Sequence, residues 1–277
     1  MKLTLIQQHA GSDRTANRER GLAAARRAIA DGAELIAFAE LAFDRFYPQV
    51  PATPELVANA EPVPGPTTDA FCALAKEFGV VIVLNVFEQG PHPLTYDSSP
   101  VIDADGTILG VTRMVHITDY ECFHEQGYYQ PGDTGAPVYD TRVGRIGIAI
   151  CYDRHYPEYM RALAVAGAQL VVVPQAGALG EWPDGLYEAE LQVAAFQNGY
   201  FTALCNRVGR EEHLEFAGES FVCGPDGRVL ARAKQGADEI LTCDLDLAAT
   251  ARSHGRQLFL RDRRPELYAE WLGRRHD

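Results

Sequence analysis

The sequence predicts an α/β protein whose layers are built on mixed β-sheets. Two observations predict it: short apolar runs alternate with segments of helical spacing, and several neighbouring strands are joined by tight turns. Helices between strands favour parallel pairing, whereas hairpins require antiparallel pairing, so both should occur. The 277 residues, 47% of them hydrophobic, suffice for a large core, and no linker divides them. We therefore predict one domain over residues 1–277.

The strands are predicted from apolar runs and the helices from their spacing and glycine stops. The first strand, Lys2–Gln7, is expected to enter at a sheet edge. Strands are further expected at 35–39, 80–88, 98–103, 108–112, 137–139, 144–150, 170–173, 200–207, 216–222, 229–233 and 239–244. Helices are expected at 15–30, 69–78, 156–166 and 187–198.

The remaining segments are turns and loops. Asp105-Gly106 predicts a hairpin turn between two of the strands. Residues 40–68 and 118–136 have no period and are predicted to be long loops. The tail from about residue 248 is basic and irregular, and we expect it to make subunit contacts.

The charge and the cysteine spacing exclude several classes of protein. A formal net charge of -13 opposes binding to nucleic acid or to an anionic membrane. No apolar run approaches the roughly 20 residues of a membrane span, and no secretory signal opens the chain. The six cysteines fit neither a disulfide framework nor a paired zinc motif. We expect a cytoplasmic protein.

Cys151 is the strongest candidate nucleophile. An apolar strand ends at this cysteine, a polar turn follows, and Pro157 stands where a helix would begin. A thiol at such an elbow is expected to be exposed and close to the positive end of the helix dipole, which favours the thiolate. The alternative is a buried structural cysteine. Cys122 and Cys205 are interpreted as structural.

Two glutamates are candidates for acid–base chemistry. Glu40 directly follows an apolar strand, where partial desolvation would raise its pKa and suit it to act as a general base. Glu125 lies in a loop among aromatic residues and histidines. The histidines show no HxxxH or HExxH spacing, so no metal site is predicted. Each glutamate alone is also compatible with a solvated loop residue.

Taken together, these segments resemble the nitrilase superfamily, the carbon–nitrogen hydrolases. Residues 147–158, GIAICYDRHYPE, resemble its nucleophile motif, and residues 32–41, GAELIAFAEL, resemble the motif that carries its catalytic glutamate. Residues 124–133, HEQGYYQPGD, match the loop with its additional glutamate. The resemblance covers nearly the whole chain. It assigns catalytic roles to Cys151, Glu40 and Glu125.

The resemblance implies a four-layer α-β-β-α sandwich, commonly paired into a homodimer or a larger homo-oligomer. It implies hydrolysis of an amide, ureido or nitrile group through a thioester on the cysteine, without a metal or an organic cofactor. The motifs are most similar to the branch of N-carbamoyl-amine and N-carbamoyl-β-amino-acid amidohydrolases, with an aliphatic amidase as the second choice. The expected partner is a small amide or ureido substrate.

One position departs from the family pattern. Residues 112–117 read TRMVHI, so Met114 stands where the family carries a catalytic lysine. That lysine is implied to stabilise the oxyanion, a contribution worth about 10²–10³ in rate for one donor. Candidate replacements are the backbone N–H after Cys151, at Tyr152, the side chain of Arg113, and less readily His116. A cationic group on the substrate is a further alternative.

The loss of the lysine leaves two hypotheses open. The first is an active hydrolase with an altered third position, and the second is a catalytically silent binding or regulatory protein on the same scaffold. For the substrate, Arg154, His155 and His124 are candidate binding residues, and Arg154 would suit a carboxylate. Arg161 and Arg207 are expected to shape the fold instead.

Overall fold

The computed structural model describes residues 1–273 and confirms the alternation of strands and helices. The strands are β1 (Lys2–Gln7), β2 (Leu35–Phe38), β3 (Val81–Val83), β4 (Val86–Gln89), β5 (Thr95–Ile102), β6 (Ile108–Arg113), β7 (Val138–Thr141), β8 (Gly144–Ile148), β9 (Leu170–Gln175), β10 (Phe201–Asn206), β11 (Val208–Arg210), β12 (Glu215–Ala217), β13 (Phe221–Cys223), β14 (Val229–Arg232) and β15 (Glu239–Asp244). The α-helices are α1 (Arg14–Ala30), α2 (Pro54–Val57), α3 (Pro66–Phe78), α4 (Pro157–Val165), α5 (Leu186–Asn198), α6 (Ala249–Arg252) and α7 (Pro265–Leu272).

The strands form two large mixed sheets, and β11 and β12 pair separately as a two-stranded antiparallel sheet. The first has the order β15-β1-β2-β3-β5-β4, with β6 paired to β5, and the second has the order β14-β13-β10-β9-β8-β7. Each sheet contains three adjacent parallel strands, β1-β2-β3 and β8-β9-β10, flanked by antiparallel neighbours. The predicted mixed pairing is confirmed.

The two sheets pack face to face between outer layers of helix. β1 contacts β10 and β2 contacts β9, while α1 and α3 cover the first sheet and α4 and α5 cover the second. Strands covered on both faces read as continuous apolar runs, and every residue of β2 and β9 is indeed buried. The result is the four-layer α-β-β-α sandwich.

Four details correct the sequence-based expectations. β1 is an interior strand rather than an edge, because β15 pairs with it antiparallel on its outer side. The run 80–88 divides into β3 and β4, and Asn85 between them is fully buried. The run 216–222 divides because Gly218 and Glu219 adopt positive φ, 73° and 54°, which an extended strand does not allow. The tail is not irregular: it contains α6, α7 and a helical turn between them.

None of the helices within residues 1–273 is both long enough and apolar enough to cross a bilayer.

Candidate functional site

The candidate site lies where parallel strands of both sheets end. Glu40 comes two residues after β2 and Asn85 two residues after β3, both in the first sheet. Cys151 comes three residues after β8, and Gln175 is the last residue of β9, both in the second. Polar groups at the carboxyl ends of parallel strands commonly form ligand sites in α/β proteins.

The three predicted catalytic residues meet at this place. The sulfur of Cys151 and a carboxylate oxygen from each of Glu40 and Glu125 all lie within 4.8 Å of one another. All three residues are buried, at 5%, 0% and 0% exposure. Atoms at this separation would also suit a metal ion, but a thiol beside two carboxyl groups is equally the equipment of nucleophilic and acid–base catalysis.

The turn at Cys151 is tightly held. Its φ is 43°, in the left-handed region that non-glycine residues rarely adopt. Arg154 Nη1 donates to the carbonyl of Cys151 at 2.9 Å, and Gln175 Nε2 donates to its Sγ at 3.2 Å. The helix α4 begins at Pro157, as predicted.

The expected exposed thiolate is wrong. Burial raises the pKa of the Cys151 thiol well above its ordinary value, and the nearby Glu40 and Glu125 raise it further, while Arg154 opposes them. The uncharged thiol is favoured because a carboxylate repels a second negative charge in a buried site. The thiol therefore needs a base to become a nucleophile.

Glu40 lies in a turn whose backbone is held by the buried Arg207. Arg207 donates to the backbone carbonyls of Glu40 at 3.0 Å, of Asp44 at 2.8 Å, and of Leu41. It also pairs with Glu211. These contacts confirm the structural role expected for Arg207.

Burial raises the pKa of Glu40 to about 7, and a negative charge on Glu125 acts in the same direction whenever that residue is ionised. Asp97, Cys151 and Arg207 oppose that rise. A carboxyl group with a pKa near neutrality can both accept and return a proton.

Glu125 faces the same space from the loop that precedes β7. It lies in the helical turn Glu125–Gly127, and its Oε2 accepts the N–H of Thr118 at 3.3 Å. Burial, then the charge of Asp97, raises its pKa well above the ordinary value. Glu125 therefore favours the protonated form, which donates a hydrogen bond.

Met114 is fully buried directly after β6, and it brings no charge to the site. The predicted replacement by Arg113 is wrong, because its guanidinium pairs with Glu88 at 2.6 Å and Asp133 at 2.9 Å and lies over the ring of Tyr96. His116 is likewise bound, its Nδ1 at 2.6 Å from Asp153 Oδ1.

The predicted substrate contact of Arg154 with a carboxylate is not supported. Besides the carbonyl of Cys151, its guanidinium donates to Gln175 at 2.8 Å and Glu190 at 3.2 Å, and it lies over the ring of Tyr187. The side chain is 1% exposed. Arg154 therefore holds the Cys151 turn in place through these hydrogen bonds.

The two predicted histidines also have acidic partners. His155 Nδ1 lies 2.6 Å from Glu190, and His124 Nδ1 lies 3.2 Å from Asp119. Neither is brought to the thiol by a contact within the described residues. Tyr152 directly follows Cys151, and its ring packs against His155 at 5.1 Å between centroids.

Sequence reasoning missed four polar residues around the site: Asp97, Tyr129, Gln175 and Glu181. Gln175 carries the same signal as Glu40, a polar residue that ends a buried strand. The carboxylate of Glu181 accepts the hydroxyls of Tyr120 at 2.6 Å and Tyr187 at 2.5 Å, and its charge acts on Cys151. Asp97 and Tyr129 had no signal, because each lies inside an otherwise ordinary strand or loop.

The fold and the site together define a class: a hydrolase with a buried thiol and two carboxyl groups at the carboxyl ends of parallel strands. Comparisons with known proteins give the family. The family model described as carbon-nitrogen hydrolase matches residues 2–254. N-carbamoylputrescine amidase of Solanum lycopersicum is 38% identical over 252 residues, covering 86% of this chain and 83% of that protein.

Solved structures agree. The carbon-nitrogen hydrolase from Helicobacter pylori G27 has a TM-score of 0.93 at 30% identity, with 100% of this chain and 99% of that one covered. A Glu-to-Gln mutant of the amidase from Nesterenkonia sp. AN1, with the acetamide moiety of fluoroacetamide covalently added at its active site cysteine, has a TM-score of 0.83 at 27% identity. That match covers 98% of this chain and 96% of the other.

The chain belongs to the carbon–nitrogen hydrolase family. It is an enzyme of the carbon–nitrogen hydrolase class. The hypothesis of a catalytically silent binding protein gains no support from these relatives.

Proposed function

We propose that the protein hydrolyses an N-carbamoyl amine through a covalent intermediate on Cys151. The observation that carries the proposal is the meeting of the Cys151 sulfur with Glu40 and Glu125 within 4.8 Å. A base of pKa about 7 stands next to a thiol that burial keeps protonated, so Glu40 can take the proton of Cys151 as the sulfur attacks.

The steps follow from these protonation states. Ionised Glu40 takes the proton of the thiol while the sulfur attacks the ureido carbon. Glu40 then returns the proton to the departing amine, which leaves the carbamoyl group on the sulfur as a thioester. Water gives a proton to Glu40 as it attacks the carbon of this thiocarbamate, the carbon–sulfur bond breaks, and Glu40 returns the proton to the sulfur. The released carbamic acid breaks down to carbon dioxide and ammonia. Each proton that Glu40 accepts is given back.

The neutral donors in this scheme are Glu125 and the backbone N–H of Tyr152. A protonated Glu125 donates a hydrogen bond to the ureido group without adding a negative charge. The N–H of Tyr152 follows the nucleophile directly and is assigned to the oxyanion. Together they would partly replace the ammonium that Met114 does not provide.

The charges around the thiol favour an amine over an acid as the rest of the substrate. The carboxylate of Glu181 acts on the thiol, whereas Nε and Nη1 of Arg154 are held by Cys151, Gln175 and Glu190, which leaves its buried Nη2 as the one donor without a partner among the described residues. A cationic chain is attracted to such a pocket and a carboxylate is repelled. Among the relatives, this distinguishes the N-carbamoylputrescine amidases from the beta-ureidopropionase of Arabidopsis thaliana, which is 33% identical.

The test is ammonia release from N-carbamoylputrescine, N-carbamoyl-β-alanine and a simple aliphatic amide. We expect kcat/KM to be at least about tenfold higher for the cationic substrate, the effect of one favourable charge contact. Cys151→Ala and Glu40→Gln should lower kcat by about 10³ or more. Cys122→Ala is the matched control, since that half-buried thiol lies outside the trio and its loss should leave activity unchanged.

A preference for N-carbamoyl-β-alanine would overturn the choice of an amine but not the hydrolase. Activity that survives in Cys151→Ala would overturn the covalent mechanism. No release from any substrate by folded protein would refute hydrolysis of this substrate class.

We further propose that the enzyme acts in the cytoplasm as a homodimer or a larger homo-oligomer. The family resemblance supports this, and so do Trp271 and Leu272 in the tail, which are 55% and 63% exposed in the single chain. Light scattering in solution would give the mass, and a monomer at micromolar concentration would contradict the proposal.

A further inference from the structure

We propose that Asp97 is a positioning residue for Glu40. The carboxyl group of Asp97 keeps its proton and donates it in a hydrogen bond to Glu40, so that two buried carboxyl groups share one proton beside the position where the family carries a lysine. The inference rests on the proposed role of Glu40 as the base.

The placement of Asp97 is fixed by its neighbours. It lies in β5 with no exposed surface, and Asn85 Nδ2 donates to its Oδ1 at 2.5 Å. The other end of the same amide, Asn85 Oδ1, accepts the N–H of Leu41 at 2.8 Å. Asn85 therefore ties Asp97 to the turn that presents Glu40.

The hydrogen bonding of the two carboxyl groups requires a proton between them. Within residues 1–273, no N–H or O–H group of another residue donates to either oxygen of Glu40 or to Asp97 Oδ2. The two carboxyl groups instead interact with each other, and a hydrogen bond between them forms only if one of them holds a proton. Two carboxylates have only acceptors, so one of the pair carries the proton.

The proton belongs mainly to Asp97. Burial, then the charge of Glu40, raises the pKa of Asp97 well above its ordinary value. The same hydrogen bond lowers the pKa of Glu40, against the effects of burial and of Glu125. The donor is thus Asp97 and the acceptor is the ionised base.

Asp97 also occupies the right place to compensate for Met114. The backbone N–H of Met114 donates to the carbonyl of Asp97 at 2.9 Å, so the two residues are neighbours on β5 and the end of β6. A lysine at 114 would add one positive charge to the site, and a proton retained on Asp97 has the same effect on the net charge.

The surrounding titratable groups do not supply that charge. Those acting on the pair are Glu125, Asp153, Cys151, Tyr129 and Arg207. Arg207 is the cation in this group, and its guanidinium already serves three backbone carbonyls and Glu211. A carboxyl pair without its proton would leave adjacent negative charges in a buried site, which is strongly unfavourable.

The experiment is a double-mutant cycle of Asp97→Asn and Met114→Lys. Alkylation of Cys151 by iodoacetamide and ammonia release are both followed from about pH 5 to about pH 10, since general-base pKa values appear as the limbs of such profiles. Ser99→Ala is the matched control. Ser99 lies in the same strand as Asp97, and its hydroxyl accepts a hydrogen bond from Asn85 at 3.2 Å, but it has no titratable group. Circular dichroism checks that each variant is folded.

Asparagine has the shape of aspartate and still donates an N–H to Glu40, but it has no proton to lose, whereas Asp97→Leu removes the donor itself. We expect Asp97→Asn to keep the acid limb and to abolish the alkaline limb that reports loss of the shared proton, and we expect Asp97→Leu to move the acid limb to higher pH by about one unit. Met114→Lys alone should lower both rates about tenfold at neutral pH, because the new ammonium would ionise Asp97 and remove the donor. The double variant pairs the lysine with Glu40 and should return to within about threefold of the wild type.

Several results would overturn the inference. Wild-type pH profiles in both Asp97→Asn and Asp97→Leu would show a merely structural role. Additive losses in the double variant would show that positions 97 and 114 do not share one function. Rates that change with EDTA or added zinc would mean that the cluster binds a metal ion in place of the proton.

The two readouts separate this inference from the proposed function. Alkylation needs no turnover, so shifted alkylation profiles without ammonia release would support Asp97 while refuting the substrate. Ammonia release together with unshifted alkylation profiles would support the proposed function and refute the role of Asp97.

Discussion

The turn after β2 and the turn after β8 are built alike but present different groups, a carboxyl and a thiol. Each follows a parallel strand, and each contains a residue in the left-handed region, Leu41 at φ 45° and Cys151 at φ 43°. In each, a buried arginine donates to a backbone carbonyl, Arg207 to that of Glu40 and Arg154 to that of Cys151. In each, burial raises the pKa of the presented group and the arginine opposes that rise, so the turns differ in the ordinary pKa of the group they carry.

The difference explains how one proton is moved between the turns. Burial is the main cause that raises the pKa of Glu40 to about 7, within reach of physiological pH. Burial and the nearby carboxyl groups raise the pKa of the thiol well above its ordinary value. The thiolate is therefore formed as the substrate is attacked, rather than stored in the resting enzyme.

The largest effect on the free energy of unfolding should come from replacing the buried arginine of each turn, in two separate variants. Arg207→Met leaves Glu211, whose side chain is 9% exposed, without its partner, and should lower the free energy of unfolding by about 3–5 kcal/mol. Arg154→Met should cost about 1–2 kcal/mol, because Glu190 is 24% exposed and can be hydrated. Denaturant unfolding measures both.

The same pair of variants separates the two turns in function. Arg154→Met should slow alkylation of Cys151, since Arg154 lowers the pKa of the thiol. Equal losses of stability in the two variants would contradict the view that the Glu40 turn is the more deeply supported one.

An intermediate effect is expected in the pH dependence of stability. The folded pKa of Glu40, about 7, lies above that of an unfolded glutamate, so its stabilising contribution is complete below the unfolded value and is lost as the pH rises through 7. Stability should fall by about 3 kcal/mol between about pH 4.5 and about pH 8 through this group. In Glu40→Gln that decline should be absent.

Urea titrations at both ends of this pH range give the free energies directly. The Glu34→Gln variant, whose side chain is 54% exposed, is the control for a glutamate outside the site. A decline of the same size in wild type and in Glu40→Gln would show that Glu40 is not the group that titrates.

The smallest effect on stability is expected for Tyr129→Phe. The hydroxyl of Tyr129 is buried without a hydrogen-bond partner among the described residues, so its removal should leave the stability unchanged or raise it by up to about 1 kcal/mol. The hydroxyl faces Asp97, Glu40 and Glu125, and we expect kcat to fall about tenfold when that donor is lost from the carboxyl side of the site. Unchanged kcat would limit Tyr129 to packing.

The residues at strand ends were predictable from sequence. Cys151 and Glu40 each follow an apolar run, and the resemblance to a known family supplied Glu125, which has no such pattern. The mixed sheets followed from alternating helices and hairpins. The position of β1 did not, because its partner β15 lies more than two hundred residues along the chain, and pairing at that distance leaves no local signal.

The contacts that decide whether a side chain is free to act in the site were not predictable from sequence. Arg113 and Arg154 looked free in the sequence, but Glu88 and Glu190, brought near by folding, occupy them. Asp97 is one acidic residue in a strand, and its meaning depends on burial beside Glu40. Burial also reversed the predicted state of the Cys151 thiol, since a motif shows neighbours in the chain but not the surrounding dielectric.

At Cys151, the backbone conformation that presents the nucleophile also lowers the stability of the fold. A side chain at φ 43° is strained, and strain of this kind costs of the order of 1–3 kcal/mol. Glycine would relax the turn but has no sulfur, so selection for stability alone would remove the nucleophile. The strain is therefore the cost of presenting a reactive sulfur from this turn.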